Sequence, residues 1–337
     1  MRRVFTSLLM LVLAGALLLL GAALWWLHEP VPLRLQPGSQ VVDLEIEPGT
    51  PASGVAEVVV ASGAEVPALL LQAWFRISGQ ARQIKAGSYE LVPGTTPRKL
   101  LSMLVRGEEA LKSVTLVEGW TFTQVRAALQ KAEQLAPETQ GKSFESIMEQ
   151  LGKPGVHPEG RFFPDTYTYA KGSSDLAVLK RAARAMDKRL EAAWALRSPD
   201  TPLQTPEQAL ILASIVEKET GKPADRPQIG GVFTNRLRIG MLLQTDPTVI
   251  YGLGDKFDGN LHKRDLVTDT PYNTYTRAGL PPTPIAMPGK AALLAAVQPA
   301  PTKALYFVAR NDGSGSSQFS ASLDEHNRAV NKYLRGQ

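Results

Sequence analysis

The chain contains no cysteine, which excludes disulfides, thiolate metal sites and cysteine nucleophiles together. Its four histidines, His28, His157, His262 and His326, are scattered, and no two stand at metal-ligand spacing. No metal and no cofactor is therefore expected. Charge of one sign does not accumulate either. Basic residues such as Lys180, Arg181, Arg184, Lys188 and Arg189 are dispersed, and the formal net charge is only +5. That balance calls for no nucleic acid; it suits at most a weak preference for phospholipid heads or an acidic wall polymer. No Gly-x-Ser-x-Gly elbow and no Ser-x-x-Lys motif occurs, so nothing announces a serine enzyme. What is present is ordinary: 337 residues, 44% hydrophobic and 20% charged, enough for about two domains with a sizeable core.

Long apolar runs are scarce, and the one that exists is at the N-terminus. Met1-Arg2-Arg3 precedes an uncharged stretch over residues 4–27, whose only polar side chains are Thr6 and Ser7. About 20 apolar residues span a bilayer core. Arg2 and Arg3 would keep the N-terminus cytoplasmic, and Trp25 and Trp26 suit the far interface. A cleaved signal peptide, cut near Gly21, Ala22 and Ala23, is the competing reading, but the run is longer than a signal-peptide core. The expectation is one transmembrane helix, with Glu29-Pro30-Val31-Pro32 as a stiff extended exit.

One pattern then occurs three times. Ile46-Glu47-Pro48-Gly49-Thr50 precedes apolar Val55, Val58 and Val59. Leu91-Val92-Pro93-Gly94-Thr95 precedes Leu100, Met103 and Leu104. Leu116-Val117-Glu118-Gly119-Trp120 precedes Val125, Ala128 and Leu129. Each reads as a strand end, a turn whose glycine takes positive φ, a Ser or Thr at cap distance, and a helix. The Gly-Thr turns around Gly49 and Gly94 resemble those of LysM-type glycan-binding modules; a spacer domain fits the same pattern.

Residues 197–202 form a loop by composition. Thr205-Pro206-Glu207-Gln208 reads as a helix start with a capping box. Residues 209–216 carry no charge and only Ser214 as a polar side chain, so this helix is buried on every side. Glu217 follows on the stripe of Leu210, Ala213 and Ser214, and Gly221 stops the helix. Apolar surroundings and the negative end of the helix dipole both favour a protonated carboxyl there, as a general acid requires. A solvated turn, Glu217-Lys218-Glu219, fits the same letters.

Further segments narrow the choice: Glu159-Gly160-Arg161-Phe162-Phe163-Pro164-Asp165-Thr166-Tyr167; Ala213-Ser214-Ile215-Val216-Glu217-Lys218-Glu219-Thr220; Val232-Phe233-Thr234-Asn235-Arg236-Leu237; Gln244-Thr245-Asp246-Pro247-Thr248; Pro271-Tyr272-Asn273-Thr274-Tyr275; and Ile285-Ala286-Met287-Pro288-Gly289. Together they closely resemble the endolytic murein transglycosylases, the YceG-like family, over nearly the whole chain. The resemblance implies cleavage of the β-1,4 bond between N-acetylmuramic acid and N-acetylglucosamine within peptidoglycan strands, leaving 1,6-anhydromuramyl ends. It implies Glu217 as the catalytic glutamate, acting first as acid and then as base, with Glu219 as the alternative. The second carboxylate of a conventional glycosidase should be missing, and a structural role is expected for Asp246. Gln244, Thr245, Asn273 and Tyr275 are the expected hydrogen-bonding contacts to substrate, and Tyr251 a ring for stacking on a sugar face.

The expected architecture is α+β. A cytoplasmic tip and transmembrane anchor (1–28) lead to a small LysM-like βα region (29–115) and a larger mixed α/β catalytic domain (116–337). Residues 269–289 should be loops walling the glycan groove, 304–309 a strand, 313–317 a turn and 323–334 a closing helix. The implied location is the bacterial inner membrane with the catalytic domain periplasmic. Peptidoglycan synthases and penicillin-binding proteins are the implied partners, and a non-catalytic glycan-binding scaffold is the alternative function.

Overall fold

The computed structural model describes residues 2–35 and 40–335, with side chains described for 10–35 and 40–333. Helix α1 covers Arg2–Trp26, and its apolar side chains face outward, Leu11 at 71%, Leu18 at 76% and Trp25 at 66% exposure. The side chains of residues 4–9, the start of the expected span, lie outside the described residues. Among the described residues no helix is long and apolar enough to cross a membrane.

The chain divides into two compact units, 1–112 and 113–337. In the first, β1 (Val42–Ile46), α2 (Ala52–Ser62), α3 (Ala68–Ile77), β2 (Gly87–Leu91) and α4 (Pro97–Arg106) follow in order. β1 and β2 pair antiparallel, Val42 opposite Leu91 and Ile46 opposite Gly87. Alternation along β1 turns Val42, Leu44 and Ile46 inward onto Val55, Val59, Leu71, Phe75, Leu100 and Leu104. Gly49 and Gly94 sit at φ of 87° and 90°, the left-handed region that a side chain would strain. The caps differ in detail. Thr96, not Thr95, accepts from Lys99 N at 3.2 Å, whereas the Thr50 hydroxyl donates back to Glu47 O at 2.8 Å. The Pro-rich exit is not free. Val31 N donates to Thr95 O at 2.8 Å, and Val31 is buried in this core.

The second unit begins within β3 (Leu111–Thr115), which pairs with β4 (Thr166–Ala170). Its helices are α5 (Phe122–Lys131), α6 (Phe144–Gln150), α7 (Asp175–Ala195), α8 (Pro206–Glu219), α9 (Arg226–Arg238), α10 (Asp246–Leu253), α11 (Lys263–Val267) and α12 (Lys290–Val297). The antiparallel pair β5 (Tyr306–Ala309) and β6 (Ser317–Ser320), then α13 (Leu323–Val330), complete it. Residues 269–289 contain neither helix nor strand. The third turn of the sequence pattern carries a full capping box between Thr121 and Gln124, opening α5.

α8 is the axis of this unit. Thr205 caps it, accepting from Gln208 N at 3.2 Å. The Gln208 side chain accepts from Gln204 N instead of completing the capping box. Every residue from Ala209 to Glu217 is buried, against α7, α9, α10 and α12. Each large side chain in that run contributes roughly 1.5–3 kcal/mol by leaving water. α9 approaches α12 so closely that a Cβ on Gly230 would lie 2.3 Å from Ala295 O. The helix ends at Glu219, where Thr220 turns extended (φ −148°) one residue before the glycine expected to stop it. Its last turn therefore projects from a rigid, dry core.

Candidate active site

That last turn carries two carboxylates, and residues two apart on a helix point about 200° away from one another. Glu217 faces one way and is nearly enclosed, 8% exposed. Its Oε1 accepts from Arg226 Nη2 at 2.7 Å, and its Oε2 accepts from the backbone N of Gly289 at 2.9 Å. Arg226 opens α9 and Gly289 caps the N-terminus of α12, so this carboxylate ties three helices together. Burial lifts the Glu217 carboxyl above its ordinary range, against the pull of the Gly289 N–H and the Arg226 charge.

A second carboxylate, Glu118, lies 3.7 Å from the same Arg226 nitrogen. The Glu118 side chain rests against Gly289, where a Cβ would come within 1.8 Å of its Oε1 and force it aside. Glu118, Trp120, Gln124, Glu217, Lys218 and Arg226 are among the residues lining an open cleft of about 400 Å³.

Glu219 faces the other way, into a pocket of about 390 Å³. Besides Glu219, α9 gives this pocket Arg236, the turn before α10 gives Leu243 and Gln244, and α10 gives Asp246. Tyr275 comes from the following loop, Tyr306 and Phe307 from β5, and Leu323 and His326 from α13. The Thr245 hydroxyl donates to Glu219 Oε1. Burial pushes the Glu219 carboxyl up to about 7, opposed by that hydrogen bond, with the Asp246 charge adding to the rise and Arg236 reducing it. A carboxyl that is protonated about half the time near neutrality suits general acid–base work.

The pocket walls are fixed from several sides. Arg236 donates from Nε to Leu305 O at 2.7 Å and from Nη1 to Leu243 O at 2.7 Å, tying α9 to the segment before β5 and to the turn before α10. Its guanidinium lies 5.4 Å from the Tyr306 ring, on which His326 stacks at 5.2 Å. Gln244 adopts φ +47°, rare for a residue with a side chain and worth of order 1 kcal/mol of strain. Strain of that kind concentrates at functional sites.

Of the residues singled out from sequence, Gln244, Thr245 and Tyr275 gather around Glu219, with Asp246 beside them. None of the three lines the cleft at Glu217. Two others serve elsewhere. The Asn273 amide donates to the carbonyls of Asp265, Leu266 and Thr268 at 3.1, 3.2 and 2.7 Å, its Oδ1 accepts from Tyr275 N at 2.9 Å, and it is 1% exposed. Inside the loop it holds the backbone of Tyr275. The Tyr251 hydroxyl donates to Glu159 Oε2 at 3.1 Å while its ring meets Tyr272 edge-on at 4.9 Å, an internal packing position. Glu159 is itself buried and raised to about 7, by burial first; its other oxygen accepts from Phe122 N at 2.9 Å. Glu118, Arg236, Tyr306 and His326 were not singled out. Only Glu118 and Arg236 lay in quoted motifs, and nothing in the local sequence marks Tyr306 or His326 as neighbours of a carboxylate on α8.

Known proteins match this chain over most of its length. An endolytic murein transglycosylase of Bacillus subtilis (strain 168) is 30% identical, with 94% of this chain and 91% of the relative aligned. The endolytic murein transglycosylase of Streptococcus pneumoniae serotype 2 is 28% identical over 74% of this chain and 51% of its own length. Among solved structures, a putative yceG-like protein from Listeria monocytogenes superposes with a TM-score of 0.52 at 28% identity, covering 86% of this chain and 99% of that one. The YceG-like family profile matches residues 44–332. The chain belongs to the YceG-like family.

Proposed function

We propose that the protein is an endolytic lytic transglycosylase that cleaves peptidoglycan glycan strands, with Glu219 as its acid and base. One observation carries the choice of residue: Glu219 is a carboxyl raised to about 7 on the wall of a pocket shared with Gln244, Asp246 and Tyr275. Glu217 fits the role less well. Both of its oxygens already accept hydrogen bonds from fixed internal donors, one of them the charged Arg226, which opposes protonation. At Glu219 one oxygen accepts the Thr245 hydroxyl, a donor that can rotate.

The chemistry follows from one such group. Glu219 protonates the glycosidic oxygen as the bond from C1 to that oxygen breaks. The substrate's acetamido group stabilises the cationic C1. The Glu219 carboxylate then takes the proton of the same sugar's C6 hydroxyl while that oxygen bonds to C1, closing a 1,6-anhydro ring and restoring the protonated acid. An internal hydroxyl held at C1 has a very high effective concentration, so no protein nucleophile and no water is required. Gln244 and Tyr275 are the proposed substrate contacts. Thr245 orients the acid, and Asn273 and Tyr251 support the walls.

The same reading extends to location. The Arg2-Arg3 tip and the exposed apolar side chains of α1 from Met10 onward support a membrane anchor, cytoplasmic at its N-terminus, with the chain from residue 29 onward outside the inner membrane. The turns at Gly49 and Gly94, each leading into a helix, support a LysM-like role in strand binding for residues 29–115, ahead of a catalytic domain at 116–337. Peptidoglycan synthases and penicillin-binding proteins are the partners that family membership suggests.

The test is digestion of purified sacculi by the full chain, with the released fragments resolved by mass. Anhydro-ended fragments are expected. Reducing ends would make the enzyme a hydrolase. Binding without release would favour the glycan-binding scaffold.

A further inference from the structure

Asp246 occupies the first turn of α10, where the helix dipole favours a negative charge, and it lines the same pocket as Glu219. It is not left to rotate. The Tyr275 hydroxyl donates to Asp246 Oδ1 at 2.6 Å, a short hydrogen bond of the charge-assisted kind. The turns carrying the two residues are bolted together through Thr274. Gln244 N donates to Thr274 O at 3.0 Å, Thr245 N donates to Thr274 Oγ1 at 3.1 Å, and the Thr248 and Thr274 hydroxyls meet at 2.9 Å. Asn273 fixes the backbone of Tyr275 from within the loop. A carboxylate is thus built into the pocket wall, aligned by a phenol and facing a second carboxylate.

The other groups facing Glu219 are a neutral hydroxyl, one fixed cation, a phenol and an imidazole. Thr245 donates to it. Arg236 arrives from α9 with its charge, Tyr306 from β5 and His326 from α13. The imidazole is pushed below its usual range by burial and by Arg236, so it adds little positive charge near neutrality. Arg236 is held by carbonyls on both sides, and its charge draws the Glu219 proton off, against the larger effect of burial. Asp246 is the one group in the pocket wall whose charge opposes that pull.

Resting on the reading of Glu219 as the acid, we infer that Asp246, aligned by Tyr275, is a positioning residue whose negative charge holds the proton on Glu219 against Arg236. The reaction needs this balance because Glu219 must be protonated before bond breaking and ionised after it. Without Asp246 the acid would be spent at a lower pH.

The experiment is the pH dependence of turnover on purified peptidoglycan for the full chain and for D246N, D246E, Y275F and E219Q. Removing a like charge from the wall of the same pocket should lower a carboxyl's titration by about one pH unit. The alkaline limb of D246N should fall to lower pH by about that amount, costing about tenfold in rate above the limb. D246E should restore the parent limb. Y275F, which leaves the carboxylate but frees it to turn away, should move the limb the same way by less, and it serves where D246N folds poorly. An unmoved limb in both D246N and Y275F, whatever the loss of rate, would overturn the inference. E219Q separates the two claims: parental turnover in E219Q sinks Glu219 as the acid, whereas an inactive E219Q with an unmoved D246N limb sinks the role of Asp246 alone.

Discussion

Glu217 and Glu219 share one helical turn and meet opposite environments. Glu217 is locked between Arg226 and the N-terminus of α12, as a cross-brace for three helices. Glu219 is held by one hydroxyl at the edge of a pocket, beside a second carboxylate. Burial raises both carboxyls, so desolvation alone does not choose between them. The choice is made by what each oxygen is already bonded to. A buried carboxylate with both oxygens tied to fixed donors holds the fold together, while one with an unfilled edge in a cavity is available for chemistry.

The difference predicts opposite effects on stability. The largest belongs to the brace. Arg226→Ala leaves Glu217 buried without its counter-charge, which costs about 3–5 kcal/mol and should be read as a lowered midpoint in chemical denaturation. A midpoint within experimental scatter of the parent would show that the brace carries no weight.

The second prediction concerns pH and has the other sign. The folded Glu219 carboxyl titrates at about 7, above its ordinary 4.5, so the folded state binds the proton more tightly than the unfolded chain does. That contribution is complete below pH 4.5 and is lost as the pH rises to about 7. Glu219→Gln escapes the loss. Its stability relative to the parent should therefore grow across that window, by at most roughly 3 kcal/mol. Glu159 titrates in the same range but is present in both proteins and cancels in the difference. A gap independent of pH would contradict the environment described for Glu219.

The smallest effect tests Asn273. Its replacement by Ala strands three carbonyls and frees the backbone of Tyr275, and should cost about 2 kcal/mol of stability, with KM on peptidoglycan rising no further than in Tyr275→Phe once the folded fraction is matched. A rise in KM well beyond that of Tyr275→Phe at full folding would return Asn273 to the substrate.

Much of the framework was legible in sequence because it depends on local rules. Gly49, Gly94 and Gly119 announce left-handed turns, Thr205-Pro206 announces the start of α8, and the charge-free run after it announces burial. The residues around Glu219 were legible through motifs, since Gln244, Thr245 and Tyr275 do converge on one pocket. The environment on which the proposal of Glu219 over Glu217 rests was not. Helical periodicity reports which face of α8 continues its own apolar stripe, and that favours Glu217. Glu219 is desolvated by residues from α9, α10, β5 and α13, from Arg236 to His326, and no local pattern reports that convergence. The internal bonds of Asn273 and Tyr251 were hidden for a related reason: a polar side chain in a motif looks the same in sequence whether it faces a ligand or a neighbouring group.

The most direct test compares the two glutamates in one assay: release of anhydromuropeptides from sacculi by Glu219→Gln and Glu217→Gln, each corrected for its folded fraction. Loss of a positioned acid and base costs about 10²–10⁴-fold. Glu219→Gln should lose that much, and Glu217→Gln should keep most of its activity per folded molecule. The reverse pattern, with Glu217→Gln inactive while fully folded and Glu219→Gln active, would contradict the assignment.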